Sequence, residues 1–195
     1  ITHRQPMTAP ILYIHGFASS GRSTKAGVLR AAWPEVYAPT LSHVPELAVE
    51  TLEAFLGALR PRRPLLVGSS LGGYYALHLA QRHALPAVLV NPVTRPDLPL
   101  GEVTGLHHNP FDGSRFEFTA GHLAQLERFR VREPDTHRLL LLVQLGDEVI
   151  DQRETVAFLE GAEQVVQEGG DHAFHDFEAM RGPVRRFAAV QLPDA

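Results

Sequence analysis

The stretch Leu66-Val67-Gly68-Ser69-Ser70-Leu71-Gly72-Gly73 carries more information about the fold than any other part of the chain. An apolar strand pattern runs into Gly-x-Ser-x-Gly, and the residues from Leu71 to about His83 then read as a helix. A serine on a sharp strand-to-helix turn needs small neighbours, because the turn brings backbone segments close and strains the dihedrals of the residue at its apex. Gly68 and Gly72 supply that room, which makes Ser70 the candidate nucleophile and Ser69 the variable position. The N–H of Leu71, first in the helix, is then a candidate donor to an oxyanion. The five-residue motif alone is weak, since Gly and Ser abound in turns; its flanking strand and helix make it specific.

Short apolar runs recur on either side of this motif. Ile11–Ile14, Val36–Tyr37, Leu65–Val67, Ala87–Val90, Leu139–Val143 and Val165–Val166 read as strands, most of them apolar without alternation, as in strands covered on both faces. Helical stretches separate them. Leu52, Phe55, Leu56 and Leu59 form one apolar stripe ahead of Pro61, Thr155–Glu160 lies in another helix, and Phe174–Val190 reads as a C-terminal helix interrupted or kinked near Gly182-Pro183. This alternation, with right-handed crossovers, predicts an α/β fold: a mostly parallel sheet of about six strands with helices on both faces. Residues 1–9 read as an N-terminal extension and 10–195 as a single domain. The segment 91–136 interrupts the rhythm, first rich in Pro and Gly and then with a helix expected over Thr119–Phe129, and reads as a cap-like insertion.

Composition narrows the function. At 195 residues, 44% hydrophobic and 21% charged, the chain suits one ordinary globular domain and not a disordered one. Lys+Arg 18 against Asp+Glu 22 leaves no surplus of positive charge for a phosphate backbone, so no nucleic-acid partner is expected. With no cysteine there is no disulfide, zinc–thiolate site, iron–sulfur cluster or thiol nucleophile, and a covalent nucleophile must be an oxygen or an amine. No apolar run approaches the ~20 residues of a membrane span and the N-terminus lacks a signal-peptide pattern. A cytoplasmic location without membrane insertion is expected.

A serine hydroxyl is a poor nucleophile until a histidine removes its proton and an acid holds that histidine in the right tautomer. Gly146-Asp147-Glu148-Val149-Ile150 follows the Leu139–Val143 strand, and Glu168-Gly169-Gly170-Asp171-His172 follows the last strand. The order Ser70, Asp147, His172 suits three groups at the carboxyl ends of successive strands, with Asp147 orienting and His172 as general base and acid. The turn after the first strand, His15-Gly16-Phe17, offers the N–H of Phe17 as a second oxyanion donor, with His15 as a loop anchor.

Tyr13-Ile14-His15-Gly16-Phe17 with Ser19-Ser20, Val67-Gly68-Ser69-Ser70-Leu71-Gly72-Gly73-Tyr74-Tyr75, and Leu85-Pro86-Ala87-Val88 with Val90-Asn91-Pro92 resemble the small YqiA-like esterases of the α/β-hydrolase superfamily. Gln144, Gly146-Asp147-Glu148-Val149, Glu168-Gly169-Gly170, His172-Ala173-Phe174 and Phe177-Glu178 resemble the same family's acid and histidine motifs. The similarity runs from about Pro10 to about Phe187. It implies a minimal α/β-hydrolase sheet without the first two strands of larger members, hydrolysis of carboxylic esters or acyl thioesters, and the triad roles on Ser70, Asp147 and His172. Leu145, Asp151 and Gln152 depart from the family's pattern without touching the triad.

Each assignment has rivals. Ser69 competes with Ser70, and Glu148, Asp151, Asp171 and Asp97 compete with Asp147. His107-His108, Asp112 and His122 are read as solvated loop residues rather than metal ligands, because their spacing fits no helical His-x-x-x-His pair. Phe111, Phe116, Phe118 and Phe129 read as satellite core before acyl pocket. Of Tyr74 and Tyr75, one should pack inward and the other edge the pocket; Phe17 and Tyr74 are taken as substrate contacts. The reading is a serine esterase that acts on a small-molecule ester or thioester and needs no metal or organic cofactor. An acyl-CoA thioesterase or acyltransferase would use the same triad, with Arg22, Lys25 and Arg95 as candidates for the CoA phosphates; a non-catalytic binding protein is the more distant alternative.

Overall fold

The computed structural model describes residues 9–193, so the expected N-terminal extension, apart from Ala9, lies outside the described residues. In chain order the elements are β1 (Ile11–Ile14), α1 (Thr24–Ala32), β2 (Val36–Tyr37), α2 (Pro45–Leu59), β3 (Leu65–Ser69), α3 (Leu71–His83), β4 (Ala87–Val90), β5 (Gly105–His108), β6 (Arg115–Phe118), α4 (Ala120–Glu127), β7 (Leu139–Gln144), α5 (Gln152–Phe158), β8 (Glu163–Gln167) and α6 (Arg181–Gln191).

Six strands form one sheet in the order β2-β1-β3-β4-β7-β8, and every neighbouring pair is parallel. The four central strands are buried along their whole length, which explains their unbroken apolar runs. Successive side chains feed two cores. Leu12, Ile14, Leu66, Leu89 and Leu141 pack on one face with α2 and α3, while Tyr13, Val67, Val88, Val90 and Leu142 pack on the other with α1 and α6. Because all six strands run the same way, the loops after β1, β3, β7 and β8 gather at one edge, where a ligand site belongs in such sheets.

Three features differ from the sequence reading. Helix α1 was not anticipated: only Ala26 and Leu29 of it are buried, too thin a stripe to register as periodicity, although Ser23 caps it by accepting from the Ala26 N–H. The segment 91–136 holds an antiparallel hairpin, β5-β6, ahead of the expected helix α4; its strands alternate covered and exposed residues, with only Phe118 fully buried, and carry two histidines and two charges, so no apolar run betrays them. At the C-terminus the interruption expected near Gly182-Pro183 falls just before it, and the α-helix begins at Arg181, not at Phe174. A 3-10 turn over Phe177–Met180 precedes α6, and Pro183 stands third in that helix, where its missing N–H has no helical acceptor to lose. Among the described residues no helix is long and apolar enough to cross a membrane.

Candidate active site

Strand β3 ends at Ser69 and α3 begins at Leu71, leaving Ser70 alone at the apex with φ +55° and ψ −119°, a conformation that L residues rarely adopt. The surrounding glycines are required by contact. A Cβ on Gly68 would lie 2.2 Å from the Gly72 carbonyl oxygen, and one on Gly72 would lie 2.0 Å from that of Ile14. The strained residue is pinned from both sides: its N–H donates to Val90 O at 3.0 Å, and its carbonyl accepts from the N–H groups of Gly73 and Val93 at 2.9 and 3.0 Å.

The side chain of Ser70 meets an imidazole. Ser70 Oγ lies 2.9 Å from His172 Nε2, and His172 Nδ1 lies 2.8 Å from Asp147 Oδ2. The Asp147 side chain is fully buried and accepts four hydrogen bonds: from the N–H groups of Val149 and Ile150 at Oδ1, each 2.9 Å, and from Gln152 Nε2 at 2.9 Å and His172 at Oδ2. Burial opposes its ionisation, but the bonds from His172, Gln152 and Ile150 prevail and hold the carboxyl below the ordinary aspartate range. An ionised Asp147 places the proton of His172 on Nδ1, which leaves Nε2 free to accept the proton of Ser70.

The rival acids are occupied elsewhere. Glu148 accepts the backbone N–H of His172 at 3.0 Å, Asp151 caps α5, Asp171 faces His175 at 2.6 Å and Asp97 faces Arg95 at 3.4 Å. None is bonded to the His172 ring.

Two amides hold the histidine loop in place, and the sequence had suggested no role for either. Asn91, fully buried just past β4, donates from Nδ2 to the carbonyls of Asp171 and His172 at 2.9 and 3.3 Å and accepts the Gln144 N–H at 2.9 Å. Gln144 in turn accepts the Asp171 N–H at 3.0 Å and donates to Gln167 and Asp176 at 2.8 and 2.6 Å. Close approach dictates glycine here too: Gly170 has φ +74°, and a Cβ on it would lie 2.2 Å from Gln144 Oε1. Gln152, buried and noted in the sequence only as a departure from a family pattern, is the second side chain on Asp147.

Across from Ser70, Gly16 comes so near that a Cβ there would lie 3.2 Å from Ser70 Cβ. His15 is buried and fixes this turn: its Nε2 accepts the Leu41 N–H at 2.8 Å, and its Nδ1–H donates to the Gly16 carbonyl at 2.8 Å. Burial lowers its pKa, with the bond to Gly16 opposing, so the ring stays neutral and keeps both bonds. The N–H groups of Phe17 and Leu71 have no protein acceptor among the described residues, and both residues line the same cavity as Ser70 and His172.

That cavity measures about 340 Å³. Pro99, Leu100 and Val103 reach it from the segment after β4, and Val149 and Ile150 from the loop of Asp147. Tyr74, expected to touch substrate, is not part of it. Its ring is buried in the core and its hydroxyl donates to the Leu126 carbonyl at 2.6 Å, because α4 supplies an acceptor that the sequence could not reveal. Phe116 and Phe118 pack edge-on against Phe17 at ring-centre distances of 5.5 and 5.3 Å, and Phe129 sits against Tyr75 and His78; these rings join the main core on the α2/α3 face rather than a satellite, Phe111 is exposed, and none of the four lines the cavity. Of the three candidate cations, only Lys25 lines it; Arg22 is exposed away from it and Arg95 faces Asp97. His107 is bonded to the Val103 carbonyl, His122 to Thr119 and Asp112 to Ser114, and among the described residues no three His, Asp or Glu side chains are grouped to hold a metal ion.

Solved structures share this architecture at low sequence identity. Est1E from Butyrivibrio proteoclasticus aligns with a TM-score of 0.73 at 16% identity, over 98% of this chain and 92% of that one. A monoacylglycerol lipase from Paleococcus ferrophilus gives 0.69 at 17%, over 93% and 96%. The α/β-hydrolase domain-containing protein 10 from mouse gives 0.71 at 15%, over 95% and 92%. They establish the α/β-hydrolase fold. The family model that matches covers residues 10–189, nearly the span over which the motifs resemble the YqiA-like proteins, and the chain therefore belongs to the uncharacterised protein family UPF0227.

Proposed function

We propose that this chain is a serine hydrolase that cleaves small carboxylic esters through an acyl-enzyme intermediate. The observation that carries this reading is the unbroken relay from Ser70 Oγ through His172 to buried Asp147. Ser70 attacks the ester carbonyl carbon as its proton passes to His172 Nε2, and the carbonyl oxygen takes up the displaced electron pair. The N–H groups of Phe17 and Leu71 receive that oxyanion, each worth roughly 3 kcal/mol in the transition state. The intermediate collapses, the leaving alkoxide takes the proton from Nε2, and the acyl group stays on Ser70. Water then attacks the acyl carbon as its proton passes to His172 Nε2, the acyl–Oγ bond breaks, Ser70 Oγ takes that proton back, and the free acid departs.

The esterase and lipase names of fold neighbours point in the same direction. An oxygen ester is favoured over an acyl-CoA because only one of the three candidate cations lines the cavity, too few for the phosphates of CoA. A fluorophosphonate probe followed by peptide mapping tests the class. The adduct should fall on Ser70 and disappear in Ser70→Ala with the fold intact; an adduct on Ser69, or none on folded protein, refutes the reading. Parallel turnover of ethyl butyrate and butyryl-CoA tests the choice of leaving group.

A further inference from the structure

Part of the cavity wall is polar and charged. Pro99, Leu100, Val103 and Ile150 present only hydrocarbon, whereas Tyr13, Ser23 and Lys25 bring two hydroxyls and an ammonium from β1 and the start of α1. We propose that this polar wall recognises a free carboxylate on the substrate, so that Lys25 selects half-esters of small dicarboxylic acids over neutral esters. The inference rests on the serine-esterase reading and adds the substrate class to it.

Lys25 is half-buried, yet no carboxylate lies within 4 Å of it among the described residues. One of its three N–H groups donates to the carbonyl of Ala173, the residue after His172, and the other two have no acceptor among the described residues. Its position is unfavourable for the fold alone. Lys25 stands in the first turn of α1, where the helix dipole disfavours a cation and no acid is present to offset it. Burial lowers its pKa to about 8, with the charge of Asp171 opposing, so near neutrality it is an ammonium with little to neutralise it.

Tyr13 completes the recognition set. Its hydroxyl accepts from Ser23 Oγ at 3.0 Å, which leaves its own proton without an acceptor among the described residues. Burial pushes its titration up to about 12, with the Ser23 bond opposing, so it remains a neutral donor. An ammonium and a phenol O–H lining one cavity supply donors for the two acceptor oxygens of one carboxylate. A single cation balances a single charge, and a phosphate would ask for more. The cavity volume of about 340 Å³ limits the substrate to a short acyl chain.

The test compares monoethyl succinate with ethyl 4-methylpentanoate, which has the same branched shape without the charge. At pH 7 the wild-type ratio of kcat/KM, charged over neutral, should be about tenfold, the size of one charge-assisted hydrogen bond in a partly covered site. Lys25→Met should bring the ratio below one, and Lys25→Arg should preserve a preference for the charged ester. A wild-type ratio at or below one, or an equal ratio in Lys25→Met and wild type, overturns the proposal; the wild-type measurement does so without any variant. Fluorophosphonate labelling run alongside separates the two readings. Labelled Ser70 with no preference for the charged ester removes only the role of Lys25, whereas folded protein without label removes the esterase reading and this one with it.

Discussion

Replacing Asp147 by Asn tests the orienting role most directly, because the carboxylate accepts four hydrogen bonds and donates none. An asparagine has one oxygen and one NH₂. Its oxygen is best kept toward the two backbone N–H groups of Val149 and Ile150, which cannot turn away, and its NH₂ then faces Gln152 and His172. Gln152 can adapt by rotating its amide, since its Oε1 is buried without a partner and becomes the acceptor. The imidazole adapts only by presenting a bare Nδ1 to the NH₂, which moves its proton to Nε2. There it donates to Ser70 Oγ and can no longer take the serine proton.

The fold should therefore tolerate the change, losing about 1–2 kcal/mol for the lost charge-assisted bonds, while kcat falls about 10⁴-fold. That factor equals about 5.5 kcal/mol of transition-state stabilisation. The assay is kcat and KM on a short-chain ethyl ester, with thermal unfolding of the same preparation. Retention of kcat within tenfold in a folded Asp147→Asn protein would refute the orienting role and return Glu148 or Asp171 to consideration.

Acid should weaken the fold from the near-neutral side. Burial disfavours the charged form of His15, so its folded pKa lies below the ordinary histidine value of roughly 6.5. As pH falls below that value the unfolded chain takes up the proton first, and stability declines until the folded histidine is protonated as well. Tm should drop between pH 7 and 5, and His15→Gln, which has no proton to gain, should show a shallower slope; identical slopes would rule His15 out as a source. Tyr74→Phe deletes a buried hydrogen bond and should cost roughly 1 kcal/mol of stability, seen as a lower denaturant midpoint. Because Tyr74 lies off the cavity its KM should stay at the wild-type value, and a several-fold rise would restore it as a substrate contact.

Much of the sheet was readable because a strand buried on both faces is apolar along most of its length, as β1, β3, β4 and β7 are, with the polar Ser69 and Gln144 only at the carboxyl ends of β3 and β7. Helix α1 and the β5-β6 hairpin were not, since each hides too few side chains to leave a periodic trace. For the site, the glycines around Ser70 and the order Ser70, Asp147, His172 pointed to the residues that the fold gathers. The supporting amides were silent. Asn91, Gln144 and Gln152 act through partners as many as 81 residues away, and nothing in a linear run of letters marks such a pair.

From the chain alone came whatever a residue's immediate neighbours dictate: the tight turn at Ser70, the apolar strands, the parallel topology and the absence of any thiol chemistry. Tertiary structure decided what depends on distant partners. It turned Tyr74 into the core because α4 offers the Leu126 carbonyl, and it committed Glu148, Asp151 and Asp171 elsewhere, leaving Asp147 to face His172. It also set Lys25, with no carboxylate within 4 Å among the described residues, in the wall of the cavity that Ser70 lines. The physical reason is the same throughout: backbone geometry is local, whereas the pairing of a buried polar group is settled by whichever donor or acceptor the fold delivers to it.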